Sequence, residues 1–167
     1  MHTHRVTGKQ NNSKMCLVCG LKNRFGLFSR FYETENGEVV AHAVGREEHQ
    51  GYPGRMHGGI VSALLDETIG RAIMIEDTNA WGVTAELNVR FKKPVPLDED
   101  LRITGRIEKS GRKVFTGTGE LTLADGTVAA TASGKYIRLA IDEIVEDEAA
   151  FAEDWFPYPE ENDPEMI

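Results

Sequence analysis

Gly51-Tyr52-Pro53-Gly54-Arg55-Met56-His57-Gly58-Gly59-Ile60 is a glycine-rich loop that runs directly into a periodic apolar segment, Val61, Leu64, Leu65, Thr68, Ile69, Ala72 and Ile73. Side chains three and four residues apart share one face of an α-helix, so the spacing predicts a single helix over residues 58–75. A helix with so apolar a stripe has to be covered. Glycines at its start let a ligand approach backbone N–H groups that have no partner inside the helix, and the helix dipole adds partial positive charge there. Such an end can hold an oxyanion.

What covers the helix is read from the flanking segments. Asn36-Gly37 and Asp125-Gly126 are hairpin signals of the type I′ kind, joining strand-like residues 27–35 to 38–44 and 114–123 to 127–139. Residues 84–92 and 101–108 alternate apolar and polar side chains across Lys93-Pro94-Val95-Pro96. The order strand, strand, helix, four strands predicts an α+β hotdog fold, one long central helix wrapped by a curved antiparallel sheet of about six strands. The expected organisation is a flexible segment at 1–15, one domain at 16–141, and an acidic tail at 142–167. In the tail Ile144, Val145, Ala149, Ala152, Trp155 and Phe156 suggest a short amphipathic helix packed on the body, with residues from Pro157 onward frayed.

The net charge of −8 is unevenly placed, because from Asp142 onward there are 11 acidic residues and no Lys or Arg. The preceding 141 residues therefore hold 16 acids against 19 bases and carry +3. That excess suits a phosphorylated small molecule but is too small and scattered for a nucleic-acid surface. No apolar run reaches the roughly 18 to 20 residues of a membrane helix, and the start lacks the apolar stretch of a secretory signal, so a cytoplasmic setting is expected.

Asp66 stands in a row of small residues, Gly59, Ser62, Ala63 and Gly70, off the main apolar stripe. Its flank has room for another chain or a ligand. Glu67 has a plainer use, an ordinary pair with Arg71 four residues on.

These segments resemble the hotdog acyl-coenzyme A thioesterases, in particular the branch of the phenylacetate-pathway thioesterases and the mammalian thioesterase superfamily members. The likeness rests on His57-Gly58-Gly59 with an acid nine residues after the histidine, Leu65-Asp66-Glu67, Thr84-Ala85-Glu86-Leu87-Asn88, Phe91-Lys92-Lys93-Pro94 and Gly111-Arg112-Lys113. Cys16-Leu17-Val18-Cys19-Gly20 and Asn23-Arg24-Phe25-Gly26-Leu27 extend it, so that it spans roughly residues 16–139. It implies hydrolysis of an acyl-CoA thioester. Asp66 would be general base or nucleophile, the Gly58 amide the oxyanion donor, Thr84 a hydroxyl that positions water or carboxylate, and His57 the residue that orients the loop. Gly59 and Asn88 would meet substrate, and Arg90, Lys92, Arg112 and Lys113 would hold the CoA phosphates. No cofactor is expected. Many relatives carry Asn or Gln six residues before the histidine, where this chain has Gly51, with Gln50 adjacent but out of register.

Along one helix the eight residue steps from Gly58 to Asp66 span roughly 12 Å, while an oxyanion donor and a base must both reach one carbonyl within about 3 Å. The expected assembly is a homodimer with each site shared between two chains, and the resemblance also allows a further pairing into a tetramer. A hotdog dehydratase or hydratase is the competing enzyme, but its acid falls 14 residues after the histidine, and counted from His49 that position is Ala63. A non-catalytic acyl-CoA-binding protein on the same fold stays open. Cys16 and Cys19 have metal-ligand spacing with His2 and His4 upstream, yet no second Cys pair completes four ligands, so two reduced, mostly buried thiols and no metal are expected. His42 and His49 receive no chemistry.

Overall fold

The computed structural model describes residues 3–167. His2 therefore lies outside the described residues. Among the described residues seven strands form one antiparallel sheet in the order β1-β2-β3-β5-β6-β7-β4. They are β1 (Val6–Lys9), β2 (Arg30–Thr34), β3 (Val39–Val44), β4 (Trp81–Phe91), β5 (Asp100–Ser110), β6 (Val114–Thr122) and β7 (Val128–Leu139). The helix α1 (Gly58–Arg71) lies in the curve of the sheet, followed by the single turn α2 (Ile73–Glu76), and α3 (Glu148–Asp154) sits in the tail. This is the expected α+β hotdog arrangement with one strand more than the alternation reveals.

The helix buries Val61, Leu64, Leu65, Thr68 and Ile69 against the sheet, the stripe that the periodicity marks. Its approach is unusually close. A Cβ on Gly105 of β5 would stand 2.5 Å from the Thr68 carbonyl oxygen, and one on Gly119 of β6 would stand 2.9 Å from Ile69. Backbone thus packs on backbone at the middle of α1, which fixes the depth of the helix in the sheet.

Both hairpins form, but not with type I′ turns. Only Gly37 (φ 77°) and Gly126 (φ 85°) take the left-handed conformation; Asn36 and Asp125 do not. The Gly37 N–H donates to the Thr34 carbonyl, the Gly126 N–H to that of Leu123, and each loop closes one residue later, giving three-residue connections with the glycine in the left-handed position.

The larger departures are at the ends. The segment expected to be flexible contains β1, which pairs with β2, and the tail expected to fray returns to it. His4 and Ile167 exchange backbone hydrogen bonds at 2.7 and 2.9 Å, Asn12 and Phe156 at 3.0 Å, and Ile167 is buried. The physical reason is the uneven charge. Glu160 accepts from Arg30 at 2.7 Å and from Lys9 at 3.0 Å, so the acids of the tail meet bases of the body. Upstream, Trp155 and Phe151 stack edgewise on Trp81 with ring centroids 4.9 and 5.2 Å apart, and α3 packs as the composition suggests. Among the described residues no helix is long and apolar enough to cross a membrane.

Adding one methyl at Gly105 should push the helix off the sheet, because its neighbour is backbone that no rotamer change can relieve. Gly105→Ala is expected to lower the unfolding free energy by about 1–3 kcal/mol, read as a lower urea midpoint at unchanged slope. An unchanged midpoint would contradict the close contact.

Candidate active site

The loop before α1 is held by its own backbone. The Gly51 N–H donates to the Arg55 carbonyl, the Met56 N–H to that of Val95 and the His57 N–H to that of His49. His57 is the N-cap: its Nδ1 accepts the Gly59 N–H at 2.9 Å. Ile60 and Val61 donate to the His57 carbonyl. No hydrogen bond among the described residues takes up the Gly58 N–H, and Gly58 is exposed. It lines a cavity of about 470 Å³ with Tyr52, Val61, Phe91, Lys92 and Pro94. Gln50 does not reach this space, since its Oε1 accepts the Gly54 N–H at 2.9 Å. A Cβ at Gly51 would lie 3.1 Å from the His57 Cα, so that position abuts the capping residue.

Two turns along the helix, Asp66 faces β4. The Thr84 hydroxyl lies 2.9 Å from Oδ1 and 3.0 Å from Oδ2 of Asp66, and it can donate its single proton to either oxygen. Tyr136 of β7, paired in register with Thr84, donates its phenol to Asp66 Oδ1 at 3.1 Å and lies 3.1 Å from the Asp66 backbone oxygen. Tyr136 was not legible as a site residue. It is fully buried, stacked on Phe115 at 5.0 Å between centroids, and passes over Gly134, where a Cβ would collide with its ring at 2.4 Å. The signal in the sequence is slight, one large aromatic ending the inward row Ala130, Ala132, Gly134 of β7. Burial, reinforced by the Asp66 charge and the hydrogen bond to it, pushes the Tyr136 phenol well above its ordinary range, so it remains a donor.

Asp66 and Thr84 line a second cavity, of about 320 Å³, with Cys16, Glu67, Gly70, Trp81, Phe151 and Trp155 among its walls. The aromatic residues of the tail therefore close the space beside the carboxylate, which their sequence position did not reveal. Glu67 makes the expected pair with Arg71 at 2.8 Å. Among the described residues none lines both this cavity and the one at Gly58. Within one chain the two halves of the expected site do not meet.

The expected phosphate ligands divide. Lys92 is beside Gly58. Asn88 and Arg90 pair with Ser133 and Thr131 and lie with Arg106 and Thr118 in a groove on the sheet face away from α1, so the strand alternation places them off the cavity that holds Gly58. Arg112 and Lys113 are exposed in the turn between β5 and β6, at the end of the sheet where β4 begins rather than at the Gly58 end.

A helix N-terminus with a free N–H and a carboxylate fixed by two hydroxyls are the parts of a hydrolytic site, and the sequence carries them in a known setting. Residues 53–130 match the thioesterase superfamily model. Over those residues the chain is similar to the thioesterase superfamily. It is similar to mouse acyl-coenzyme A thioesterase THEM4, 29% identical over 113 residues that cover 67% of this chain and 48% of that protein. It is also similar to human acyl-coenzyme A thioesterase 13, 30% identical over 52% of this chain and 61% of that one. The crystal structure of zebrafish thioesterase superfamily member 2 superposes with a TM-score of 0.60 at 27% identity, covering 65% of this chain and 80% of that chain. The chain thus matches about half the length of the curated relatives.

Because the folded state disfavours the Tyr136 phenolate, this residue contributes stability that is fully present below the unfolded phenol pKa of about 10 and is lost as pH rises above it. Tyr136→Phe should therefore flatten the alkaline limb of the stability curve, leaving the share due to Tyr32, whose phenol is also raised, chiefly by burial. Unfolding midpoints between neutral pH and about pH 11 measure this, and an alkaline limb as steep as that of the unsubstituted protein would contradict the buried Tyr136–Asp66 bond.

Proposed function

We propose that this domain hydrolyses acyl-coenzyme A thioesters to the free acid and coenzyme A, as a homodimer in which each site takes Gly58 from one chain and Asp66 from the other. The observation that carries the proposal is the Asp66 carboxylate, held by the Thr84 and Tyr136 hydroxyls at 2.9 to 3.1 Å beside a cavity. The names of the relatives support the substrate class.

In this reading the thioester carbonyl oxygen rests on the Gly58 N–H, where charge develops as the carbonyl carbon becomes tetrahedral. His57 keeps that N–H presented by capping its neighbour. Asp66 of the partner chain takes a proton from water, whose oxygen bonds to the carbonyl carbon. The C–S bond then breaks, and the proton passes to the departing thiolate. Attack by Asp66 itself is the alternative route, through an anhydride that water opens. In both, Thr84 and Tyr136 fix which lone pairs of the carboxylate face the substrate.

The edge of the sheet supports the dimer. β4 ends the sheet, is 11 residues long, and has one neighbour, β7, so its outer backbone groups can pair with a second copy of itself. Phe91, 54% exposed beside Gly58, would be covered by that pairing. Two antiparallel copies of β4 set the Gly58 end of one helix beside the middle of the other. The same arrangement carries the partner's Arg112 and Lys113 toward the Gly58 end, where Lys92 stands. We place the reaction in the cytoplasm, where both thiols stay reduced, and extend the assembly to a dimer of dimers.

Release of free thiol from a panel of acyl-CoA substrates tests the activity. Hydration or dehydration of an enoyl or hydroxyacyl thioester without thiol release would select the dehydratase reading, and binding without turnover the non-catalytic one. Asp66→Asn should lower kcat at least about 10²-fold with binding retained, since the amide keeps the size but takes up no proton. Near-normal kcat would remove Asp66 from the mechanism.

Lys92→Ala should raise KM for acyl-CoA by about fivefold, roughly 1 kcal/mol for a phosphate contact partly screened by solvent, with less effect on short thioesters that lack the nucleotide. Arg90→Ala, on the opposite face of the sheet, should leave both unchanged. Equal effects of the two substitutions would contradict this division.

A further inference from the structure

A cluster beside the Asp66 cavity takes no part in this chemistry. The turn from Ser13 to Gly20 folds back so tightly that a Cβ on Gly20 would stand 2.3 Å from the Cys16 carbonyl oxygen. In that turn Cys16 Sγ accepts the N–H of Val18 at 3.3 Å and of Cys19 at 3.4 Å. Two backbone donors are thus aimed at the first sulfur of a Cys-x-x-Cys turn. From helix α1, Glu67 Oε2 accepts a hydrogen bond from the same thiol at 3.2 Å, so a cation would take the place of that proton. The two sulfurs and the carboxylate oxygen all lie within 4.8 Å of one another.

We propose that Cys16, Cys19 and Glu67 form a three-donor site for a soft divalent cation of the zinc class, with a fourth position open to the cavity that Asp66 lines. The dimensions fit. Bonds of about 2.3 Å to sulfur and about 2.0 Å to oxygen in a tetrahedron require donors roughly 3.5–3.8 Å apart, which falls between the observed 3.2 Å and the 4.8 Å limit. The charges also balance: two thiolates and a carboxylate carry three negative charges, and a dication with the Arg71 guanidinium carries three positive. Arg71 holds the other oxygen of Glu67, Oε1, at 2.8 and 3.0 Å and leaves Oε2 available. Two thiolates select the zinc class over magnesium or calcium, which take oxygen ligands. A closed structural site needs four protein donors, and among the described residues three come together here. Three donors and an open position are the pattern of a site that keeps an exchangeable ligand. Bound there, the cation ties the N-terminal turn to the helix turn that carries Asp66. The proposal does not depend on the hydrolytic reading.

The test is a cobalt(II) titration of the full, reduced, metal-free chain, followed by zinc(II). The expected result is one cobalt per chain with a thiolate-to-cobalt charge-transfer band and the intense ligand-field bands of tetrahedral cobalt, both removed by zinc. Cys16→Ser and Cys19→Ser should each abolish the charge-transfer band, and Glu67→Gln should weaken cobalt binding at least about tenfold while its amide still serves Arg71. If a serine variant does not fold, the unsubstituted chain still decides: zinc should protect both thiols from alkylation, and a chelator should restore their reactivity. No charge-transfer band at excess cobalt while both thiols titrate as free, or a band that survives both serine substitutions, would overturn the site.

Discussion

Gly58 and Asp66 stand on one helix, and the rise of about 1.5 Å per residue keeps their backbones roughly 12 Å apart whatever the side chains do. The remaining architecture follows from that separation. One side of α1 must be buried to hold the helix rigid, which the glycines at 105 and 119 achieve by letting the sheet close onto Thr68 and Ile69. The other side must stay open, and Gly58 and Gly59 are exposed there, with Ser62 half-buried beside them. In the proposed dimer a free N–H at one end and a fixed carboxylate further along become two halves of different sites, each completed by a second copy of the chain.

The carboxylate is fixed from the sheet rather than from its own helix. Thr84 and Tyr136 are opposite each other on β4 and β7, so one register between two strands sets both hydroxyls on Asp66. Gly134 makes room for the Tyr136 ring and Phe115 stacks on it, so the donor is held by packing before it donates. The tail closes the same region. Trp155 stacks on Trp81 beneath the Arg71 guanidinium, 4.7 Å from its ring, while Glu160 anchors the chain farther on to Lys9 and Arg30. Charge that looked like a separate acidic end is thus spent on contacts with the body.

What the sequence made legible was local. The 3.6-residue spacing located α1, the glycines located its start, and alternation located six of seven strands. β1 escaped because Val6-Thr7-Gly8-Lys9 is too short and polar to alternate, and it becomes a strand only when β2 on one side and the returning C-terminus on the other supply partners. Tyr136 and the second partner of Glu67 escaped for the same reason, since 70 residues separate Tyr136 from Asp66 and 51 separate Cys16 from Glu67. The resemblance gives Arg90 and Lys92 the same role. They differ because the strand ends at Phe91, so Arg90 is fixed in the outward row while Lys92 lies beyond the pleat and reaches the cavity at Gly58.

The shared site is tested most directly by mixing two inactive chains. Asp66→Asn removes the base, and Gly58→Pro removes the N–H at a first-turn position where proline is tolerated. In a mixed dimer one site would combine Gly58 of the first chain with Asp66 of the second and be intact, while the other would be doubly damaged. Refolding equal amounts together should restore about a quarter of the unsubstituted activity per total site, given random pairing and independent sites. No recovery in verified mixed dimers of folded chains, or full activity in a demonstrated monomer, would contradict the account.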